Sequence, residues 1–416
     1  MYTRLAETLG CVRRVRVKDP FDRTISRRKL LQGALLASGA LLVGLEKCSG
    51  QQSTPDQTSF NIEEPFRHGR KLGIVEFAGE APVRMGKAFG AELDRRLYTD
   101  LSALTPRNAI TPADDFYIRT GVSQLLGEAE LSSLKIGGLV RQRSEMIFTG
   151  LVKQARPMGA HLMECAGNVR AAHFGLMSAA EWTGLPIAPI IESAGPTSSA
   201  NRVLVSGFDR YATPSATSTP GASWIFTLAE LKSAGAFLAT EMNGKPLTKD
   251  HGAPVRLVVP GWYGCACIKW VNEISMVGDD AVATSQMQEY ASRTMQKGVP
   301  QLARDYQPAV IDLAALPIRI EKWTVDAKIV YRVVGILWGG RRAPDRLEIR
   351  FNPEEDYVPV GSFEPRHTGS WTFWTYAWRP PKTGSYMVRL RVTANSEQTR
   401  RMDVGYYLRT VEITEI

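Results

Sequence analysis

Polarity alternates with a period of two along residues 328–334, 346–351, 371–378 and 386–392, with Gly or Pro turns recurring about every dozen residues. Successive side chains of a strand point to opposite faces, so this pattern predicts strands with one buried face. Residues 318–416 therefore read as a β-sandwich, with Trp371, Trp374 and Trp378 either filling its core or covering an interface. Between residues 105 and 279 the pattern is mixed. Short β-rich runs such as 202–205 and 255–259 alternate with helical candidates such as 227–235, which predicts an α+β domain. Residues 280–317, helical and polar around 285–295 and then broken by Pro, read as the connection between the two. The Pro-bearing stretch 182–193 and the Gly, Pro, Ser and Thr of 206–223 predict long loops bordering a site.

Residues 1–50 follow a different rule. A basic start, an apolar run over 33–45 and a small-residue exit at Ser49-Gly50 form the three parts of an export signal. The run is too short to span a bilayer, and Ser26-Arg27-Arg28-Lys29-Leu30-Leu31 before it reads as a twin-arginine signal, which implies passage of a folded protein to the periplasm. Polar, turn-rich residues follow, and 51–104 read as a linker and N-terminal extension.

Charge changes the picture little. The net charge is +9, but residues 1–50 hold ten Lys or Arg against four Asp or Glu, so only +3 remains beyond them. No basic, aromatic-spaced patch accompanies it, which excludes nucleic-acid binding. With 416 residues, 44% hydrophobic and 22% charged, the chain has room for two or three cores and the composition of a globular protein.

Five cysteines are present, and Cys11 and Cys48 belong to the leader. Cys165, Cys265 and Cys267 are too few and odd in number for a disulfide framework. Cys265 and Cys267 lack the further ligands a zinc site needs and read as structural thiols. Without a Cys-x-x-Cys-His haem attachment, electrons from any redox reaction must leave to a partner.

Cys165 ends the apolar approach His161-Leu162-Met163 and precedes Ala166-Gly167-Asn168, where the chain can turn and expose the sulfur. Downstream lies Asp250-His251-Gly252-Ala253-Pro254-Val255-Arg256, followed by Ile268-Lys269-Trp270. Together these segments resemble the sulfite oxidase superfamily, whose cofactor cysteine lies in a Cys-Ala-Gly-Asn-x-Arg motif, matched here by Cys165 to Arg170. Trp182-Thr183-Gly184 and Glu241-Met242-Asn243-Gly244 add to the likeness, and the last hundred or so residues resemble the family's immunoglobulin-like dimerisation domain.

The resemblance implies a mixed α/β molybdopterin-binding domain followed by that sandwich, in a homodimer. It implies molybdenum and molybdopterin as cofactors, with Cys165 as the metal ligand. A soft thiolate suits such a centre, and the pterin supplies two more sulfurs, so one protein ligand is enough. Cofactor contacts fall on Tyr117, Asn168, Asp209, His251, Arg256 and Lys269, and substrate-facing roles on Arg119, Arg170 and Trp182. The implied reaction is oxygen-atom transfer to sulfite or a related small oxyanion or sulfur compound, with a cytochrome c as acceptor. Reduction of S-oxides or N-oxides and a non-catalytic exported protein are the alternatives.

Three positions depart from the family. Its Arg-Asn-His triplet reads Arg119-Thr120-Gly121; its C-terminal arginine corresponds to Asp403-Val404-Gly405; and its tyrosine after Trp270 has no counterpart within residues 276–287.

Overall fold

A computed structural model describes residues 66–416, apart from 127–131, 209–221, 343, 362–369 and 396. Residues 1–50, read as a leader, and Asp209 lie outside the described residues.

Two five-stranded sheets build the first half. One joins Lys245–Pro246, Phe237–Met242, Met177–Pro186 and Arg156–Glu164 in that order, with Arg256–Val258 also pairing onto Phe237–Met242. The other runs Ser144–Ile147, Ser133–Gly138, Val271–Val277, Arg202–Gly207 and Ser223–Phe226. Its pair Ser133–Gly138 and Val271–Val277 is parallel, and its other pairs are antiparallel. The helix Leu228–Ala234 forms where expected. Thr227 and Glu230 close a capping box at its start, and Gly235 ends it at φ 64°. The stretch 182–193 is not a loop. Met177–Pro186 is a strand and Ile187–Ser193 a helix, because Ile187, Ile190 and Ile191 bury one face.

The second half is a two-sheet sandwich. A four-stranded sheet orders Arg70–Val75, Ala314–Val325, Lys328–Trp338 and Thr372–Trp378. Its partner orders Val358–Pro359, Arg346–Arg350, Gly384–Thr393, Arg409–Ile413 and Phe77–Ala78. Along Gly384–Thr393, Tyr386, Val388, Leu390 and Val392 turn inward while Met387, Arg389, Arg391 and Thr393 face out, as their alternation requires. The sheets meet through Phe351 stacked on Trp378 at 4.0 Å and Trp378 edge-on to Tyr386 at 4.9 Å. Trp371, Trp374 and Trp378 are all buried, so they fill the core. A Cβ at Gly335 would stand 2.1 Å from the Trp374 ring, so only glycine lets that indole lie flat on its neighbour strand.

Two boundaries differ from the sequence reading. Residues 70–78, read as linker, are edge strands of the sandwich: Arg70 pairs with Thr324 and Val411 with Phe77. Their polarity hides them because edge strands bury little. The sandwich strand Ala314–Val325 also starts before residue 318. A single hydrophobic cluster runs from Leu101 to Ile413 through both halves, which packs the sandwich against the sheets that carry Cys165. Among the described residues, no helix is long and apolar enough to cross a membrane.

Candidate active site

Cys165 leaves the end of the strand Arg156–Glu164 and is buried. Its amide donates to the Leu176 carbonyl at 2.9 Å, and the Asn168 amide donates to the Cys165 carbonyl at 2.9 Å, closing a tight turn. The Gly167 amide points at the sulfur from 3.3 Å. Burial pushes the thiol pKa up, while the Arg119 charge, that amide and the Arg293 charge pull it down.

The turn opens on a cleft of about 810 Å³, counting its mouth. Phe116–Thr120 form one wall and residues 250–270 another. Gln286, Glu289 and Tyr290 close a third, so the stretch read as a connection is part of the site. Arg119, Tyr117, His251, Arg256 and Lys269 all line the cleft with Cys165, although more than a hundred residues separate the first of them from the last.

Two of the cations there, Arg256 and Lys269, are braced from behind. Arg256 donates through Nη1 to the His251 carbonyl at 3.1 Å and through Nη2 to Met163 Sδ at 3.1 Å and the Cys267 carbonyl at 3.4 Å. Its buried Nε has no hydrogen-bond partner. Lys269 donates to the carbonyls of Thr120 and Asp250 and lies 4.2 Å from the Trp270 ring centroid.

His251 differs from expectation. A carbonyl can only accept, so its Nε2 carries the proton and donates to Phe116 at 3.0 Å, while Nδ1 accepts from Thr248 at 2.8 Å. Both ring nitrogens are thereby committed, so His251 lines the cleft with no ring nitrogen left over for a cofactor. Burial, with Arg256 and Lys269 nearby, holds its pKa down to about 4, against the Phe116 bond and Asp250.

Three further placements correct the sequence reading. Asn168 is buried with its amide spent on Glu164 at 3.4 Å and the Leu176 amide at 3.1 Å, so it shapes the Cys165 turn instead of facing the cleft. Arg170 is exposed, lies off the cleft and donates to the Leu408 carbonyl. Trp182 stands one layer back, edge-on to Phe116 at 5.7 Å and 5.5 Å from the Arg256 guanidinium. The strand that carries it is central in its sheet, so the indole packs into the core.

Two residues escaped the sequence reading. Tyr290 lines the cleft just beyond residues 276–287, where a tyrosine is expected, and burial and the nearby Cys165 hold its pKa up. Thr284, which caps the helix Ser285–Glu289, is the signal that could have extended that range. Cys265 and Cys267 also line the cleft, and Cys267 accepts from the Val259 amide at 3.4 Å. All three cysteines of the described chain are free thiols.

These residues fit a molybdopterin group. Cys165 offers one soft donor to the cleft, and Arg256 keeps an unspent donor, Nε, in a cleft that Arg119 and Lys269 also line. Among the described residues, no three or more His, Cys, Asp or Glu gather into a metal-holding group, and a metal that brings its other ligands needs none.

Known proteins agree. Residues 125–284 match the family described as oxidoreductase molybdopterin binding domain. Mitochondrial sulfite oxidase of Rattus norvegicus is 28% identical over 234 residues, covering 51% of this chain and 42% of that protein. The NADPH nitrate reductase of Emericella nidulans is 28% identical over 280 residues, covering 60% of this chain and 31% of that protein. The chain thus spans less than half the length of these curated relatives. Among solved structures, the sulfane dehydrogenase SoxCD from Paracoccus pantotrophus superposes with a TM-score of 0.59 at 18% identity, over 89% of this chain and 96% of that one, a likeness of fold. The match over residues 125–284, with the likeness to sulfite oxidases and nitrate reductases alike, supports the sulfite oxidase superfamily of molybdopterin-dependent oxidoreductases.

Proposed function

We propose that the protein is an exported, periplasmic oxidoreductase that oxidises sulfite or a related sulfur compound and passes the electrons to a cytochrome c. The observation that carries this is the convergence of Cys165, Arg119, Lys269 and Tyr290 on one cleft. Once bound there through Cys165, the molybdenum group supplies two-electron oxygen-atom transfer. The chain's own residues do the rest. Arg119 offers a planar fork of donors to an oxyanion. Lys269 and Arg256 hold the charge of the pterin's phosphate, and Tyr117 and Tyr290 set the cleft's polar edge. The names of its relatives, sulfite oxidase and sulfane dehydrogenase, support a sulfur substrate.

A second reading has the same centre reduce an S-oxide or N-oxide. Arg170 turns away to Leu408, which leaves fewer guanidinium groups in the cleft and suits a neutral substrate. The nitrate reductases among the relatives support chemistry in that direction.

Sulfite-dependent reduction of cytochrome c by the molybdenum-loaded protein is the expected result. Activity only with a reduced dye and methionine sulfoxide selects the second reading, and exported protein that carries no molybdenum refutes both. The sandwich serves as a homodimer interface in this proposal, so light scattering should give twice the chain mass.

A further inference from the structure

A cation from the second half of the chain sits behind the Cys165 turn. Arg401 belongs to the short helix Arg400–Asp403, is 5% exposed and does not line the cleft. Its Nη2 donates to the Ala166 carbonyl at 2.7 Å and to the Arg293 carbonyl at 2.9 Å. Its Nη1 stands 3.6 Å from Oε1 of Glu164. Glu164 and Ala166 flank Cys165 in sequence, so this one side chain holds the residues on both sides of the thiol.

Arg293 completes the arrangement. Its Nη1 would lie 3.2 Å from a Cβ built at Gly167, which places a cation beside the Cys165 turn. Glu164 is fully buried and also accepts from Trp338 at 2.8 Å and Tyr407 at 3.1 Å. The helix that carries Arg401 has its own anchor, because Arg400 pairs with Asp312 at 2.6 Å. Holding the helix therefore does not explain a buried guanidinium, which is costly wherever apolar packing would serve. Its donors go to the two loops that flank the sulfur.

We infer that Arg401 is a positioning residue: it fixes the peptide after Cys165 and the backbone of Arg293 together, so that the sulfur faces the cleft with a cation beside it. The inference rests on the proposed reading of Cys165 as the molybdenum ligand. It also makes the sandwich a working part of the site.

The test compares Arg401→Met, Arg401→Lys and Arg400→Met in the full chain. Two readouts are independent of turnover. One is the rate at which iodoacetamide labels Cys165 in the cofactor-free protein, followed by peptide mass spectrometry. The other is molybdenum content with the electron paramagnetic resonance signal of the half-reduced protein. Residues that orient a ligand typically change metal affinity about 10- to 100-fold when removed. Arg401→Met should accordingly lose metal at limiting cofactor and show a shifted signal, and it should label several-fold more slowly, because the sulfur no longer faces the cleft. Arg401→Lys, which keeps the charge and can reach one carbonyl, should recover part of each. Arg400→Met should lose stability yet label like wild type.

Wild-type labelling and signal in Arg401→Met would overturn the inference, as would identical behaviour of Arg400→Met and Arg401→Met. Should Arg401→Met not fold, Arg401→Lys decides, and wild-type values on both readouts in that variant refute the role. Labelling of the cofactor-free protein needs no molybdenum. A wild type that never carries the metal therefore sinks the proposed function while this comparison still reports on Arg401.

Discussion

Glu80 and Arg409, 329 positions apart, form a two-bonded ion pair at 2.8 and 2.7 Å with both side chains almost wholly buried. Arg409 also donates to the Pro317 carbonyl at 2.9 Å and lies 4.0 Å from the Phe77 ring centroid. Removing one partner of such a pair strands a buried charge, at a cost of about 3–5 kcal/mol. Urea unfolding of Glu80→Ala should show a loss of that size. A change under about 1 kcal/mol would mean that the pair is not buried in solution.

Cys165→Ser changes one atom at a buried turn. It should abolish molybdenum binding and activity while shifting unfolding free energy by no more than about 1 kcal/mol. Metal analysis beside thermal denaturation checks both halves, and unchanged turnover would refute the ligand assignment.

His251 stays neutral in the folded protein because its pKa lies at about 4, below the ordinary 6.5. Between those values the unfolded chain binds the extra proton and the folded chain does not, so stability falls as pH drops through that window. The loss is complete below the lower value and amounts to on the order of 3 kcal/mol. His251→Gln cannot take up the proton, so its stability should fall less steeply than wild type from pH 6.5 to 4. Equal slopes would show that the histidine is accessible to water.

Tyr290 faces the same cleft as the Cys165 thiol without contributing a metal ligand in the proposed site. Tyr290→Phe should therefore retain full molybdenum content but lose at least about tenfold in turnover if its hydroxyl takes part in proton movement. Steady-state rates on metal-normalised protein decide. Turnover at the wild-type rate would leave the residue a wall only.

The Cys165 turn and the 250–270 segment were readable because each is contiguous, with turn chemistry, cations and aromatics adjacent in sequence. Sandwich strands such as Gly384–Thr393 were readable because one buried face imposes a period of two. What escaped depends on distant contacts. Arg170 and Asn168 sit inside the motif, yet their direction is set by Leu408, Leu176 and Glu164. His251 is a histidine in the expected segment, but the bonds to Thr248 and Phe116 that occupy its ring exist only once the fold closes. Arg401 carries no local signal at all, since its acceptors are carbonyls near Cys165 and at Arg293.

The pairing of Arg70–Val75 with Ala314–Val325 also sets an order of assembly. Lys71 meets Glu321 from 250 residues away, so the first described strand to be synthesised waits until residues 314–325 have been made. Residues 133–277 have their sheet partners in hand by then, and folding from the N-terminal side during synthesis favours them. The sandwich closes afterwards, and the helix Arg400–Asp403 arrives with it. Until residues 400–403 have emerged, the Cys165 turn lacks the brace that Arg401 supplies, and the cleft is finished by the sandwich rather than by the sheets that line it.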